Sequence, residues 1–493
     1  MMITAAHVFP GPTATFVYDN GTTTATTYSV QVVATLDDLA VWEIAPNQTA
    51  TFTLTAPIYT GSSELGSTIV DLGRGYQRGA AVTGGWQWGG GQGPLSWGTN
   101  TVSAIPTDAQ LGTSSSMGGD FLQFDFDDQS ASLPGYNPNE AMVTPYDSGG
   151  GVFIDVGGQY QLAGVNSLLG ARITNGTTDY AYEVTDSSGN QIGASLYNTS
   201  GYYYDSYGVD LPITTATPES SFATRISSKQ GFIGEADGTI SASAAAWNPI
   251  SNDGLFVVYQ NMTTGNISGG GTVELGGSDQ KVTLQLAPNS GTSEVSGLSI
   301  MSGSTLDVTN NCIIIDGGAN TLTEKWLMKC LASGYDGGLW NGPGIDSSMA
   351  AASSGVYGVG FADGNDPSVS GLTGGQAEIG YALYGDCNMD GVVNGIDFMT
   401  MATNYNQAVT QGWEDGDFTY SGSVNGTDFL LLVQNFDKAS SADWKALDAF
   451  AAANSISLTD DVPEPSSLTP LLLFSFCAIA RWARHRTPTP AIC

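Results

Sequence analysis

Short runs that alternate apolar and polar residues, each closed by Gly, Asn or Ser, recur along this chain and limit what it can fold into. Leu39-Ala40-Val41-Trp42 is one, and Gly271-Thr272-Val273-Glu274-Leu275, Lys281-Val282-Thr283-Leu284-Gln285-Leu286 and Ser304-Thr305-Leu306-Asp307-Val308 are others. A side-chain period of two places one face of each run on a core and the other in water, which is what a strand requires, and the breaks supply turns. The 65 glycines and long Thr/Ser/Asn-rich stretches leave room for few helices. The expected class is mainly β, and a chain of 493 residues is expected to build two or more cores.

Lys plus Arg number 13 against 47 acids, for a net charge of −34. A phosphate backbone would be repelled, so nucleic acid is excluded as a partner, and basic substrates or cations are favoured. Five cysteines supply no framework. Cys312 and Cys330 could pair, Cys387 falls in a loop, and Cys477 and Cys493 lie in the tail, so the fold does not depend on disulfides.

Of the two histidines, one lies in the tail and the other, His7, follows Thr4-Ala5-Ala6. Leu36-Asp37-Asp38 then opens the alternating run at Leu39, and Tyr146-Asp147-Ser148-Gly149-Gly150-Gly151 comes later. Acyl transfer by a serine needs a neutral imidazole, a buried carboxylate that orients it and backbone N–H groups facing the oxyanion. The order Thr-Ala-Ala-His, Asp-Leu-Ala-Val, Asp-Ser-Gly-Gly resembles the chymotrypsin/trypsin-type serine endopeptidases.

That resemblance implies a double β-barrel with His7 as base, Asp38 as orienting acid and Ser148 as nucleophile. Asp38 is preferred to Asp37 because the apolar run begins directly after it. Leu162-Ala163-Gly164-Val165-Asn166-Ser167 is similar to the family's strand after the nucleophile, which makes Ser167 the partner of the acid. Ser221 to Ile233 resembles the C-terminal helix that closes the second barrel. The family keeps glycine two residues before the nucleophile, where this chain has Tyr146, whose N–H belongs to the implied oxyanion hole. Met142, six residues before Ser148, stands where trypsin-like enzymes keep an aspartate, so cleavage after Lys or Arg is not expected. Only Met1, Met2 and Ile3 precede the His7 motif, so the first barrel is expected to be incomplete and the true start to lie upstream.

The segment 237–384 carries no catalytic motif, and its strands read as a sandwich or short solenoid acting as a spacer or adhesive surface, with one helix over 322–331. Trp326, Tyr335 and Trp340 are expected in its core or as a lid.

Asp386, Asn388, Asp390, Asn394 and Asp397 occupy loop positions 1, 3, 5, 9 and 12, with Gly391 at position 6. Hard Ca²⁺ takes such an oxygen shell, completed by the carbonyl of Val392 at position 7. A second copy runs through Asp417, Thr419, Ser421, Ser423, Asn425 and Asp428. Thr419 and Ser421 bring fewer charges to the ion, so this loop binds weakly or stays folded without metal. Paired loop–helix units with aspartate at position 12 resemble the dockerin type I repeat, which implies calcium-dependent folding and a cohesin-like or surface-matrix partner.

The tail reads Asp461-Val462-Pro463-Glu464-Pro465, an apolar stretch from Leu468 to Ala480, then Arg481, Arg484 and Arg486. The stretch is short beside the ~20 residues of a full span, and the arginines hold its end in the cytoplasm. The pattern resembles the PEP-CTERM sorting signal of Gram-negative bacteria, which implies an exosortase-type processing enzyme, a transient hydrophobic transmembrane helix and export to the cell surface. The expected division is 1–236 protease-like, 237–384 spacer, 385–437 calcium repeats, 438–461 linker and 462–486 sorting segment. The expected function is a surface serine endopeptidase acting on polypeptides; the alternative is a non-catalytic surface or matrix protein with a degenerate protease fold.

Overall fold

The two residues between Leu36 and Leu39 reverse the chain and set the first sheet. In the computed structural model, β1 (Met2–Ala5), β2 (Thr13–Tyr18), β3 (Thr26–Leu36) and β4 (Leu39–Ile44) are antiparallel, with β4 between β1 and β3. Alternation sends Val30, Val32, Ala40 and Trp42 into one core with Met2, Phe16 and Ile44. The other side of β3 pairs with β2 over Thr26–Gln31, and with Leu255–Val258 over Ala34–Leu36. Thr272–Leu275 then pairs in parallel with Leu255–Val258. Where the sequence leads to an incomplete barrel, the chain builds an open sheet and extends it with strands from beyond residue 236.

The structure describes residues 1–8, 11–18, 25–50, 52, 55–82, 84–89, 93–111, 119–127, 137–169, 182–185, 191–199, 203–205, 210–212, 218–236, 249–277, 280–316, 321–367, 369, 371–410, 412–436 and 441–457. The chain divides into two compact units, Met1–Val282 and Thr283–Cys493.

A closed barrel completes the first unit. It uses β5 (Thr68–Gly73), then, past the hairpin β6 (Arg78–Val82) and β7 (Gly85–Trp88), β8 (Ser96–Ala104), β9 (Phe121–Asp125), β10 (Gly151–Val156), β11 (Gln159–Leu168) and the strand Ser220–Arg225. Closure leaves no edge, and Ile69, Val102, Leu122, Phe124, Val152 and Ile154 fill the interior. The expectation of a helix over 221–233 is corrected here. Ser221 to Arg225 finish the barrel strand, hydrogen-bonded between β9 and β11. Helix begins only after the turn Ser227–Lys229, at Gln230–Ala236. Ser221, Phe222, Ala223 and Thr224 are all buried, as in a barrel strand covered on both faces rather than a helix with one apolar stripe.

In the second unit short strands stack in parallel: Thr283–Leu286, Thr305–Asp307 and Gly344–Asp346 in one sheet, Thr292–Val295 and Cys312–Ile315 in another. Antiparallel Ala377–Leu383 and Tyr357–Asp363 finish the second sheet. The partners Leu284–Leu306 and Thr292–Cys312 are unequally spaced in sequence, so these solenoid-like coils leave no clean period. The expected helix spans Thr321–Tyr335. Trp340 is fully buried, and its indole N–H donates to Tyr384 Oη at 2.8 Å, as befits a core aromatic. Cys330 is unpaired, so the pairing with Cys312 does not form.

A small helical region ends the described chain: Gly395–Asn404, Gly426–Asn435 and Ser441–Ala453. Phe398, Phe429 and Phe450 meet in its centre, with ring centroids 5.4–6.4 Å apart. It packs directly on the preceding strands. Tyr420 Oη donates to Val359 O at 2.6 Å and Asn435 Nδ2 to Val356 O at 2.8 Å, while Trp413 Nε1 donates to Asp386 O of the first acidic loop at 2.7 Å. The tail read as a sorting segment lies outside the described residues, and among the described residues no helix is long and apolar enough to cross a membrane.

Candidate functional site

β1 ends in a single 3-10 turn, Ala6–Val8, because Ala6 N–H is taken by Asp38 O at 3.0 Å across the sheet. That turn lays His7 over the β3–β4 corner. Asp38, 1% exposed, accepts from His7 N at 2.9 Å and from His7 Nδ1 at 2.8 Å to Oδ1 and 2.9 Å to Oδ2. Ser167 Oγ donates to the other side of the same carboxylate. A buried carboxylate with this many donors holds the Nδ1–H tautomer and leaves Nε2 as the free acceptor of a proton.

The loop that carries Ser148 is tied to the same place by its backbone. Gly149 N–H donates to Asn166 O and Asn166 N–H to Gly150 O, both at 2.8 Å, beside Ser167. An added Cβ on Gly149 would collide with Thr4 Oγ1 and lie 3.6 Å from Ala5 N, so the loop rests on the strand that carries His7. Among the described residues, His7, Asp38 and Ser167 are joined by hydrogen bonds, whereas none connects His7 to Ser148.

Tyr146 has φ +77°, the left-handed conformation that glycine adopts freely. The side chain at this position therefore does not alter the backbone path; it costs about 1–3 kcal/mol of strain instead. Among the described residues neither Tyr146 N–H nor Ser148 N–H donates to a protein acceptor. The Tyr146 ring is exposed and meets Tyr76 edge-on at 5.4 Å, and Tyr76 stacks on Trp88 at 5.8 Å.

Behind the loop lies a cavity of about 200 Å³ walled by Tyr76, Trp86, Trp88 and Met142 and floored by Asp71 and Asp147. Burial, with the Asp147 charge beside it, pushes Asp71 up to about 7 against two donors, Asn166 Nδ2 at 2.7 Å and the Leu72 backbone N–H. Asp147 is also raised by burial, and accepts from Thr144 N and Oγ1, both at 2.8 Å, and from Gly75 N.

The two acidic loops have the same backbone. Position 4 is left-handed in both, at Met389 (φ +54°) and Tyr420 (φ +52°), and so is the glycine at position 6, Gly391 (+86°) and Gly422 (+84°). Asp386 accepts from Asp390 N and Gly391 N, Asp417 from Ser421 N and Gly422 N. Asn394 and Asn425 cap the following helices, and Asp397 and Asp428 close the capping boxes.

Clustering has an electrostatic consequence. Burial, then neighbouring carboxylates, raises Asp386 to about 7; burial raises Asp397 and Asp428 to about 6. Among the described residues no three acidic side chains converge as ligands on one point, since they turn to backbone N–H groups. The donor types still suit Ca²⁺. The first loop offers three carboxylates, Asn388, Asn394 and the Val392 carbonyl, while Thr419 and Ser421 of the second hydrogen-bond to Asp417.

Residues 384–449 match the dockerin type I domain. Dockerin type I domains bind calcium and cohesin partners. The dockerin segment contains both loops, both helices that follow them and most of the helix Ser441–Ala453. Among solved structures, one titled as the atomic resolution structure of HBP is similar at 15% identity, over 48% of this chain and 80% of that one, with a TM-score of 0.26. A mutant of human heparin binding protein (CAP37) is similar at 16% identity, over 50% and 84%, with a TM-score of 0.25. No curated protein matches the chain.

Sequence reasoning missed the seat of Gly149 on Thr4 and the bond from Asn166 to Asp71. The Asp147-Ser148-Gly149-Gly150 string carried the first, since two glycines mark a close backbone approach. Nothing in the sequence carried the second.

Proposed function

We propose that the chain is a serine endopeptidase of the chymotrypsin type, exported to the cell surface, with a calcium-binding dockerin module. The single observation that supports this is the pairing of His7 Nδ1 with buried Asp38, itself backed by Ser167. Ser148 Oγ attacks a peptide carbonyl and passes its proton to His7 Nε2, and Asp38 stabilises the imidazolium. The N–H groups of Tyr146 and Ser148 donate to the oxyanion. His7 then returns the proton to the leaving amine, and water repeats the sequence to free the acid. Met142 argues against selection of Lys or Arg.

Ca²⁺ belongs to the loops: Asp386, Asn388, Asp390, Val392, Asn394 and Asp397 in the first, and Asp417, Thr419, Ser421, Ser423, Asn425 and Asp428, more weakly, in the second. Bound there, the ion would supply the positive charge that cross-links each loop's oxygen donors. A cohesin-like or matrix protein is the partner, and 462–486 is a PEP-CTERM segment cut by an exosortase-type enzyme during export from a Gram-negative cell.

The test is labelling of the full chain by a fluorophosphonate, which needs an activated serine. Label in the wild type that disappears in Ser148→Ala supports the reading. The absence of a His7–Ser148 hydrogen bond favours a second reading, a non-catalytic surface or matrix binding protein, and an unlabelled wild type would favour it further.

A further inference from the structure

Asp37, next to the candidate triad acid, is buried and faces one cation. It occupies the first position of the two-residue β3–β4 turn with φ +53°, where glycine is the usual choice. Its N–H donates to Leu255 O at 2.9 Å, and its Oδ2 accepts from Lys229 Nζ. Both residues are almost sealed, at 4% and 3% exposure. Gly119 crosses the pair so closely that an added Cβ would sit 2.8 Å from Lys229 Nζ and 3.4 Å from Asp37 Oδ2.

The backbone already fixes the turn through β3, β4 and Leu255, so an anchor alone would be redundant. Charge is what the ammonium adds. Asp37, Asp38, Asp108 and Asp253 crowd this corner, and Lys229 faces Asp37 and Asp108 from the turn before the helix Gln230–Ala236. Without it, Asp37 is an uncompensated buried carboxylate beside the one that holds His7, and either Asp37 or its turn has to rearrange.

We propose that Lys229 is a positioning residue for the hydrolytic site: it neutralises Asp37 so that the strained turn keeps the Asp38 carboxylate under the His7 imidazole. The proposal rests on the serine-endopeptidase reading for its catalytic consequence but not for its structural one. A charge-neutralising role makes a specific demand, that removing both charges restores what removing the cation alone destroys.

The test compares Lys229→Met, Lys229→Arg and the double variant Asp37→Asn/Lys229→Met in the full-length chain. Two readouts are used: the fluorophosphonate labelling rate and the downfield His7 Nδ1–H resonance, which only one other histidine can confuse. Lys229→Met should slow labelling at least tenfold and shift or broaden the resonance while melting remains cooperative. Lys229→Arg and the double variant should come within about threefold of the wild type and recover the signal. A folded Lys229→Met with wild-type rate and resonance overturns the proposal, and so does a folded double variant that still lacks the resonance. If Lys229→Met does not fold, the double variant alone decides. If the wild type takes no label, the endopeptidase reading fails while the resonance still decides the role of Lys229.

Discussion

Gly149 lies directly against Thr4, so the loop that presents Ser148 and the strand that presents His7 touch with no room for a methyl group between them. Gly149 also has φ +86°, which a side chain tolerates poorly. Gly149→Ala should push the loop off β1 and lower the fluorophosphonate labelling rate by about a hundredfold, with a stability loss of roughly 1–3 kcal/mol. Thr4→Ala removes the obstructing hydroxyl, and in its background the loss should shrink. An equal loss in both backgrounds would mean that backbone strain, not contact with β1, sets the effect.

Ser167 Oγ is the third donor to Asp38 after the two from His7. Ser167→Ala leaves that carboxylate buried with one lone pair unmet, which typically costs about 1–3 kcal/mol. We expect a lower melting temperature and a five- to twentyfold slower labelling rate. Ser167→Thr should recover part of both. A variant that melts and labels like the wild type would remove Ser167 from the site.

The residues that form the corner around His7 were legible because each belongs to a short local string. Asp38 preceded an alternating run, and Ser167 followed one. What escaped was anything set by chain topology. The use of Leu255–Val258 to extend the first sheet depends on a partner more than two hundred residues away, and its own sequence states only that it is a strand. The helix expected over 221–233 failed because Ser221 to Arg225 carry a pattern that a barrel wall and a helix flank share over so few residues. The dockerin match was legible, because its paired loops repeat residue type position by position. Their packing on Tyr357–Asp363 was not.

That packing sets the next expectation. Tyr420 and Asn435 bind the dockerin segment to Val359 and Val356. A ligand that binds only the folded state stabilises whatever folds with its site. Calcium added to the chelated full chain should therefore slow amide exchange in Tyr357–Asp363 and Ala377–Leu383 as well as in the loops. Asp397→Ala should abolish most of the effect and Asp428→Ala less, since the second loop has fewer carboxylates. Slowing confined to 384–436 would show a module that folds alone.

The pH dependence of stability should carry the mark of Asp71. Its carboxyl is raised from the ordinary 3.8 to about 7 by burial, so the folded state binds this proton more tightly than the unfolded chain. The sign follows from linkage. Below about pH 4 the group is protonated in both states and its contribution is complete; as pH rises through 7 the folded chain must ionise a buried acid, and that stability is lost. Asp71→Asn keeps a side-chain oxygen for Asn166 Nδ2 and offers an amide to Asn166 Oδ1, which has no partner in the wild type. The variant should match the wild type near pH 4 and exceed it at pH 8 by about 2 kcal/mol, a part of the ~1.4 kcal/mol per unit that a full shift would give. Asp147, raised in the same direction, leaves a smaller fall in the variant. Calorimetric unfolding between pH 4 and pH 8 measures the difference. Parallel curves for the two proteins would mean that Asp71 is already solvated or paired at neutral pH.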